Sequence, residues 1–285
     1  MTAPDFVAIG HVTLDRFGAA TRPGGAALYA AITAHRLGLS VGLLTSHGDD
    51  FPLEVIPPAI EVVSLPARDT TLFEHRDDGD GRTMLVEATA EPIAAADVPD
   101  DWREASIVLL APVAAEVDPL IAASFADATV GAAMQGWLRQ SDAEGQVTAS
   151  SWEPPDWLLD RVAAIFMSAD DVRGLEDDVT AWLQRVPLAV ITAGRDGALL
   201  YVSGDRYEVP AIPVVEEVDP TGAGDVFAAT FLVRHHLGDD PWDAARAATC
   251  AAGLSVCGVG WSSVPDRRGL ASALADYRRL RDAAP

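Results

Sequence analysis

Apolar residues fall in short continuous runs, and helix-like segments lie between them. Phe6 to Ile9 is apolar and ends at Gly10, and Val41 to Thr45, Ile107 to Ala111, Thr129 to Ala133, Ala164 to Met167 and Leu188 to Thr192 are of the same kind. Runs this short and this apolar predict strands buried on both faces. Ala26 to Leu37, closed by Gly38, predicts a helix, as do Asp118 to Phe125, Trp157 to Val162 and Asp177 to Arg185. Strand and helix in alternation predict a mostly parallel sheet with helices packed on it. Val62 to Leu65 and Pro213 to Val218 read as further strands. Ala198 to Val202 and Tyr207 to Val209 read as an antiparallel pair around Ser203-Gly204. Long helices are predicted over Ala223 to Leu237, Trp242 to Cys257 and Arg267 to Arg281. One α/β domain over 1–285 accounts for the pattern.

Thr70 to Thr89 breaks the alternation. Thr70 to His75 and Arg82 to Ala88 are strand-like, and Asp77 to Gly81 (DDGDG) joins them as a hairpin loop. A hairpin does not fit easily into a parallel series. It reads as a flap over one edge of the domain, with an ordinary edge hairpin as the alternative.

Charge and composition narrow the chemistry. The 20 basic residues are all arginine, so the chain has no lysine. That excludes a Walker A lysine and a lysine Schiff base. The formal net charge is −23, which disfavours nucleic acid and anionic membranes as partners. Cys250 and Cys257 are both expected on a core face and too far apart for a disulfide. No basic, apolar leader is visible at the N-terminus and no run approaches a membrane span, so a cytoplasmic protein is expected. The histidines and cysteines show no zinc-ligand spacing. His35, His235 and His236 lie on helix-like segments and read as solvent-facing or core-packing residues.

The most specific segment is Asp219-Pro220-Thr221-Gly222-Ala223-Gly224-Asp225, at the start of a long helix. Small residues let the backbone curl and aim N–H groups at one point, and the helix dipole adds to that focus. Asp225 then sits beside an anion site, where a carboxylate can take a proton from an attacking hydroxyl. A plain helix start with Asp as dipole partner reads equally well from these residues alone.

The segment resembles the D-T-x-G-A-G-D signature of the ribokinase-like (PfkB) carbohydrate kinase family, departing at Pro220. Other segments resemble the family in order along the chain. They are Gly10 to Asp15, Pro23-Gly24-Gly25 leading into a helix, Gly48-Asp49-Asp50, the Thr70 to Thr89 hairpin as a lid, and Thr192-Ala193-Gly194-Arg195-Asp196-Gly197. The resemblance implies a three-layer α/β sandwich with a small β lid formed by roughly 12–23 and 68–91. It implies a kinase that moves the γ-phosphate of ATP, with Mg²⁺, to a hydroxyl of a small sugar, polyol or nucleoside. Asp225 would be the base, and Gly222, Ala223 and Gly224 the anion hole. Asp15, Gly24, Gly25 and Tyr29 would meet the acceptor, with His11 and Arg139 as further candidates. Thr192, Gly194, Gly197, Thr221, Thr249 and Gly258 would serve the nucleotide. Asp171 would serve Mg²⁺, and Asp219 a monovalent cation such as K⁺. A monomer or a homodimer through the lid would be compatible.

Tyr29 stands where the family often has Asn, Ser168-Ala169-Asp170-Asp171 where it has N-x-x-E, and Thr249 where it has Asn. Tyr29 and Ser168 bring the chain closer to an inositol-kinase-like branch. These departures also leave room for a catalytically silent sugar- or nucleotide-binding protein on the same fold. A nicotinamide dehydrogenase is disfavoured, because Gly10-His11-Val12 stands where G-x-G-x-x-G would be needed.

Overall fold

The computed structural model describes residues 2–77, 82–214 and 216–282. The tip of the Thr70 to Thr89 hairpin, Asp78 to Gly81, lies outside the described residues.

In chain order the strands and helices open with β1 (Phe6–Ile9), β2 (Thr13–Phe17), β3 (Ala20–Gly24), α1 (Ala26–Arg36), β4 (Val41–His47) and β5 (Ile60–Pro66). Then come β6 (Thr71–Asp77), β7 (Arg82–Ala88), β8 (Ile107–Leu110), β9 (Thr129–Ala133), β10 (Arg139–Ser141), β11 (Val147–Ala149) and α2 (Asp156–Arg161). The chain continues through β12 (Ala164–Ser168), α3 (Glu176–Leu183), β13 (Leu188–Thr192), β14 (Ala198–Val202) and β15 (Asp205–Val209). Helices α4 (Ala223–His236), α5 (Pro241–Ser255) and α6 (Arg267–Asp282) close it.

Among the described residues, nine strands form the main sheet in the order β15-β14-β13-β12-β9-β8-β1-β4-β5. Every pairing from β5 to β13 is parallel, and β14 and β15 add an antiparallel edge. Alternation along each strand feeds two separate cores. Phe6 and Ala8 face the core under α1, α4, α5 and α6, while Val7 and Ile9 face the one under α2 and α3. Ile107/Leu109 against Val108/Leu110 repeat the pattern. The continuous apolar runs thus mark strands covered on both sides, and the molecule is a three-layer α/β sandwich.

The second sheet has the order β3-β2-β6-β7. β2 pairs antiparallel with β3 and parallel with β6. Opposed residues share a face, so Asp15, Arg22 and Phe73 lie together. The short hairpin β10–β11 reaches this sheet, where the Val86 N–H donates to the Gly145 carbonyl at 2.8 Å.

Three expectations are corrected. Asp118 to Phe125 is not an α-helix, and Pro119–Ser124 forms a 3₁₀ turn, a tighter form that suits so short a segment. The described residues of Pro213 to Val218, which leave out Val215, form no strand, and Pro213, Val214, Glu216 and Glu217 run along a cleft. Cys250 is buried, but Cys257 lies past the end of α5 and is exposed.

Candidate active site

The Asp219 to Asp225 segment begins as a self-bonded turn. Asp219 Oδ1 accepts the Thr221 N–H at 3.0 Å, and Oδ2 accepts the Gly260 N–H at 3.0 Å. Arg22 Nη1 lies 3.3 Å from Oδ2. Burial opposes ionisation of Asp219, but the Gly260 and Thr221 N–H groups and Arg22 outweigh it and hold the carboxyl below the usual range.

Gly222 then turns left-handed, with φ 77° and ψ 0°, and stands as the N-cap of α4 without a side-chain cap. Only glycine suits it for a second reason. A Cβ at Gly222 would lie 2.3 Å from Cδ1 of Tyr29, so the Tyr29 ring packs directly against the loop. A helix start leaves four N–H groups without intrahelical partners, here Gly222 to Asp225. Ala223 turns its N–H onto the Pro220 carbonyl at 3.2 Å. An incoming anion therefore meets chiefly the neighbours of Ala223, with the helix dipole behind them.

Asp225 lies in the first turn of α4 and lines a cleft of about 860 Å³. Burial pushes its carboxyl up to about 7. The Arg139 guanidinium opposes that rise, and the Asp171 and Asp15 charges add to it. A carboxylate poised near neutrality is suited to proton abstraction. Arg139 Nη2 stands 3.1 Å from Asp171 Oδ1. Asp171 Oδ2 accepts the Ser168 N–H at 2.9 Å and its hydroxyl at 2.6 Å. Both oxygens of Asp171 are thus engaged by protein, which does not fit the metal-ligand role expected of it. Among the described residues no group of three or more His, Cys, Asp or Glu side chains converges on a metal position.

The cleft also takes in Thr192, Gly194, Gly197 and Thr249, with an apolar wall of Ile212, Pro213, Val214 and Val256. The Thr249 hydroxyl is buried there without a hydrogen-bond partner. Two residues expected at the nucleotide lie elsewhere. Thr221 is held in the Asp219 turn, and Gly258 backs onto Ser262 and Ser263. Gly253, not singled out in the sequence, lines the cleft instead.

Asp15, Gly24, Gly25 and Tyr29 gather between the anion loop and the second sheet. Asp15 Oδ1 accepts the Thr13 hydroxyl at 3.2 Å and lies 3.5 Å from His75 Nε2. Asp15 Oδ2 lies over Gly24, and Gly25 caps α1. Tyr29 is 3% exposed and meets Trp261 edge-on at 5.7 Å. Burial raises its phenol, the Asp219, Asp225 and Asp15 charges raise it further, and Arg22 opposes them. Acceptor-side and donor-side groups therefore share one electrostatic field around Asp225.

His11 does not fit a ligand-facing role. It is fully buried. Its Nδ1 is 2.7 Å from the Thr71 hydroxyl and its Nε2 is 2.8 Å from the Glu91 carbonyl, so both ring nitrogens are used. It pins the end of β1 to the base of the second sheet. Buried Glu116 supports the same corner, accepting N–H groups of His11, Val113 and Ala114 at 2.7–3.1 Å. Sequence gave no sign of Glu116, because its partners are backbone groups.

Residues 160–267 match the model of the pfkB family carbohydrate kinases. The cytidine kinase of Thermococcus kodakarensis is 28% identical over 253 residues, 82% of this chain and 89% of that protein. The inositol 3-kinase of Zea mays is 32% identical over 196 residues, 67% of this chain but 49% of its own longer one. A pyrophosphate-dependent kinase of the ribokinase family, complexed with a pyrophosphate analog and myo-inositol, superposes with a TM-score of 0.74 at 20% identity. That match covers 94% of this chain and 99% of the other. Arabidopsis thaliana ribokinase, complexed with ribose and ATP, gives 0.71 at 21% identity, with 96% and 99% covered. The two structures share the three-layer fold, and the Asp219 to Asp225 loop falls inside the matched family segment. The chain therefore belongs to the pfkB family of carbohydrate kinases, phosphotransferases whose acceptor is an alcohol.

Proposed function

We propose that the protein transfers the γ-phosphate of ATP to a hydroxyl of a small uncharged polyol, sugar or nucleoside. The observation that carries this reading is Asp225, a carboxyl poised near neutrality by burial, in the same helical turn as the open N–H groups that follow Gly222. Asp225 takes the proton of the acceptor hydroxyl as it attacks, and the first-turn N–H groups stabilise charge on the transferring phosphoryl. Magnesium belongs to this reading as part of the MgATP substrate, carried on the phosphates and not in a protein cage.

The cleft supports a nucleotide donor. Its apolar wall of Ile212, Pro213, Val214 and Val256 suits a nucleoside, whereas pyrophosphate alone has no apolar part to place there. The charge pattern supports an uncharged acceptor. Arg22 and Arg139 are each paired with a carboxylate, Asp219 and Asp171. Asp15 and Asp225 add negative charge on the acceptor side, which disfavours sugar phosphates. Helix α1 and the second sheet bring Tyr29 and Asp15 to the acceptor. The second sheet covers them and excludes water from the transfer.

The test is ADP release with MgATP and a panel of cytidine, myo-inositol, ribose and fructose 6-phosphate, with formation of the phosphorylated acceptor read in a parallel series that has pyrophosphate as donor. Release that depends on one of the uncharged acceptors is expected. Preference for the sugar phosphate, or activity only with pyrophosphate, would overturn the respective part of the assignment.

A further inference from the structure

Arg22 lies on β3 opposite Asp15, yet its ion-pair partner is 197 residues away on the anion loop. Its guanidinium is aimed by a stack. Cζ of Arg22 lies 5.5 Å from the centre of the Phe17 ring. Phe17 is in turn parallel to His75, with ring centres 4.6 Å apart at 8°. The contact joins a lid side chain that is 45% exposed to a carboxylate that is 11% exposed. Asp219 also holds the N–H groups of Thr221 and Gly260, so Arg22 neutralises a side chain that ties the anion loop to the Gly260 turn.

The family resemblance implies a dissolved monovalent cation at Asp219 and Thr221, and the donor set does not fit one. A cation on Asp219 needs a free carboxylate oxygen with no positive group beside it. Both oxygens already accept N–H donors, and the guanidinium stands 3.3 Å from Oδ2. Thr221 faces the carboxylate as a donor, through its N–H at 3.0 Å and through its side-chain hydroxyl. We propose that Arg22 is a positioning residue that serves as the tethered cation of the anion loop, so that the lid, and not a dissolved alkali ion, supplies this charge. A guanidinium suits the task, because it stays protonated at any working pH and its fork matches a carboxylate. Its attachment to the lid makes the charge local without requiring a high ion concentration. The inference rests on the kinase reading only where turnover is measured.

Wild type and Arg22→Ala are compared in potassium chloride and in tetramethylammonium chloride at equal ionic strength, by melting temperature and by acceptor-dependent ADP release. Wild type is expected to be indifferent to the choice of cation in both measurements. Arg22→Ala is expected to lose about tenfold in turnover in tetramethylammonium. Potassium should then recover part of that loss and raise the variant's melting temperature specifically. Should the alanine variant fail to fold, Arg22→Gln, which keeps the stem over Phe17, carries the same comparison. A wild type that requires potassium overturns the proposal, as does a variant indifferent to the cation in both measurements. A wild type that releases no ADP with any acceptor defeats the kinase reading instead, and the melting comparison still decides the role of Arg22.

Discussion

Asp225→Asn separates what the carboxylate does for catalysis from what it does to the fold. Burial lifts this carboxyl from an ordinary 3.8 to about 7. At about 1.4 kcal/mol per pH unit, an ionised Asp225 opposes folding by roughly 4 kcal/mol as an upper bound. Part of its surface faces the cleft, so water reduces this to roughly 1–2 kcal/mol. The sign follows from the raised folded value. Below about pH 4 the carboxyl is protonated in both states, and Asp and Asn are equivalent. Between 4 and 7 the unfolded chain ionises first, so the penalty grows. Above 7 it is present in full. Asn should therefore raise the melting temperature by roughly 2–8 °C at pH 8 and by little at pH 4.5. The same substitution should lower turnover by about 10²–10⁴-fold, and wild-type kcat/KM should fall as pH drops below about 7, as the base protonates. Scanning calorimetry over pH and steady-state ADP release read both effects. Near-wild-type turnover, or a stability difference that does not grow with pH, would refute the reasoning.

Three further substitutions probe the same geometry. Gly222→Ala places a methyl 2.3 Å from the Tyr29 ring at a φ of 77° and should lower kcat by about 10²–10³-fold; adding Tyr29→Ala relieves the collision but not the backbone strain, so only partial recovery is expected in steady-state kinetics. Arg139→Ala removes the charge that opposes the rise of Asp225, so the acid limb of kcat/KM should move to higher pH, which a pH–rate profile reads directly. His11→Ala leaves the Thr71 hydroxyl and the Glu91 carbonyl without their ring partners and should cost roughly 2–4 kcal/mol in urea denaturation, with the KM for ATP little changed.

The sheet was legible because burial on both faces leaves a local mark. Phe6–Ile9, Ile107–Leu110 and Leu188–Thr192 need no partner information to be seen as strands, since each residue must suit one core or the other. The β10–β11 hairpin was not legible, because Arg139–Ser141 and Val147–Ala149 carry little apolar signal and pair mostly in solvent. Pro213 to Val218 misled for the opposite reason. Pro213 and Val214 face a cleft, not a ladder, and periodicity does not distinguish the two. In the site, the turn chemistry of Asp219 to Asp225 could be read locally. The functions of His11, Arg22 and Glu116 depend on partners 60 to 197 residues away. A polar residue at a strand end looks the same whether it meets a ligand or a hinge.

The missing lysine connects these observations. Near Asp225 the positive groups include Arg139 and, across Tyr29, Arg22. Each is already matched to a carboxylate, Asp171 and Asp219. The site therefore holds its cations fixed and paired, leaving the variable charge to Asp225 and to the incoming phosphates. With a net charge of −23 on the chain, ATP free of metal meets repulsion on approach, and the first-turn N–H groups of α4 receive it in a cleft whose Arg195 is already paired with Glu217. MgATP carries less negative charge into the same field. Limiting magnesium should therefore depress turnover more than removing any one surface arginine, such as Arg173 or Arg206, and a titration with the reverse order would show that the paired guanidiniums carry more of the phosphate charge than their carboxylate partners allow.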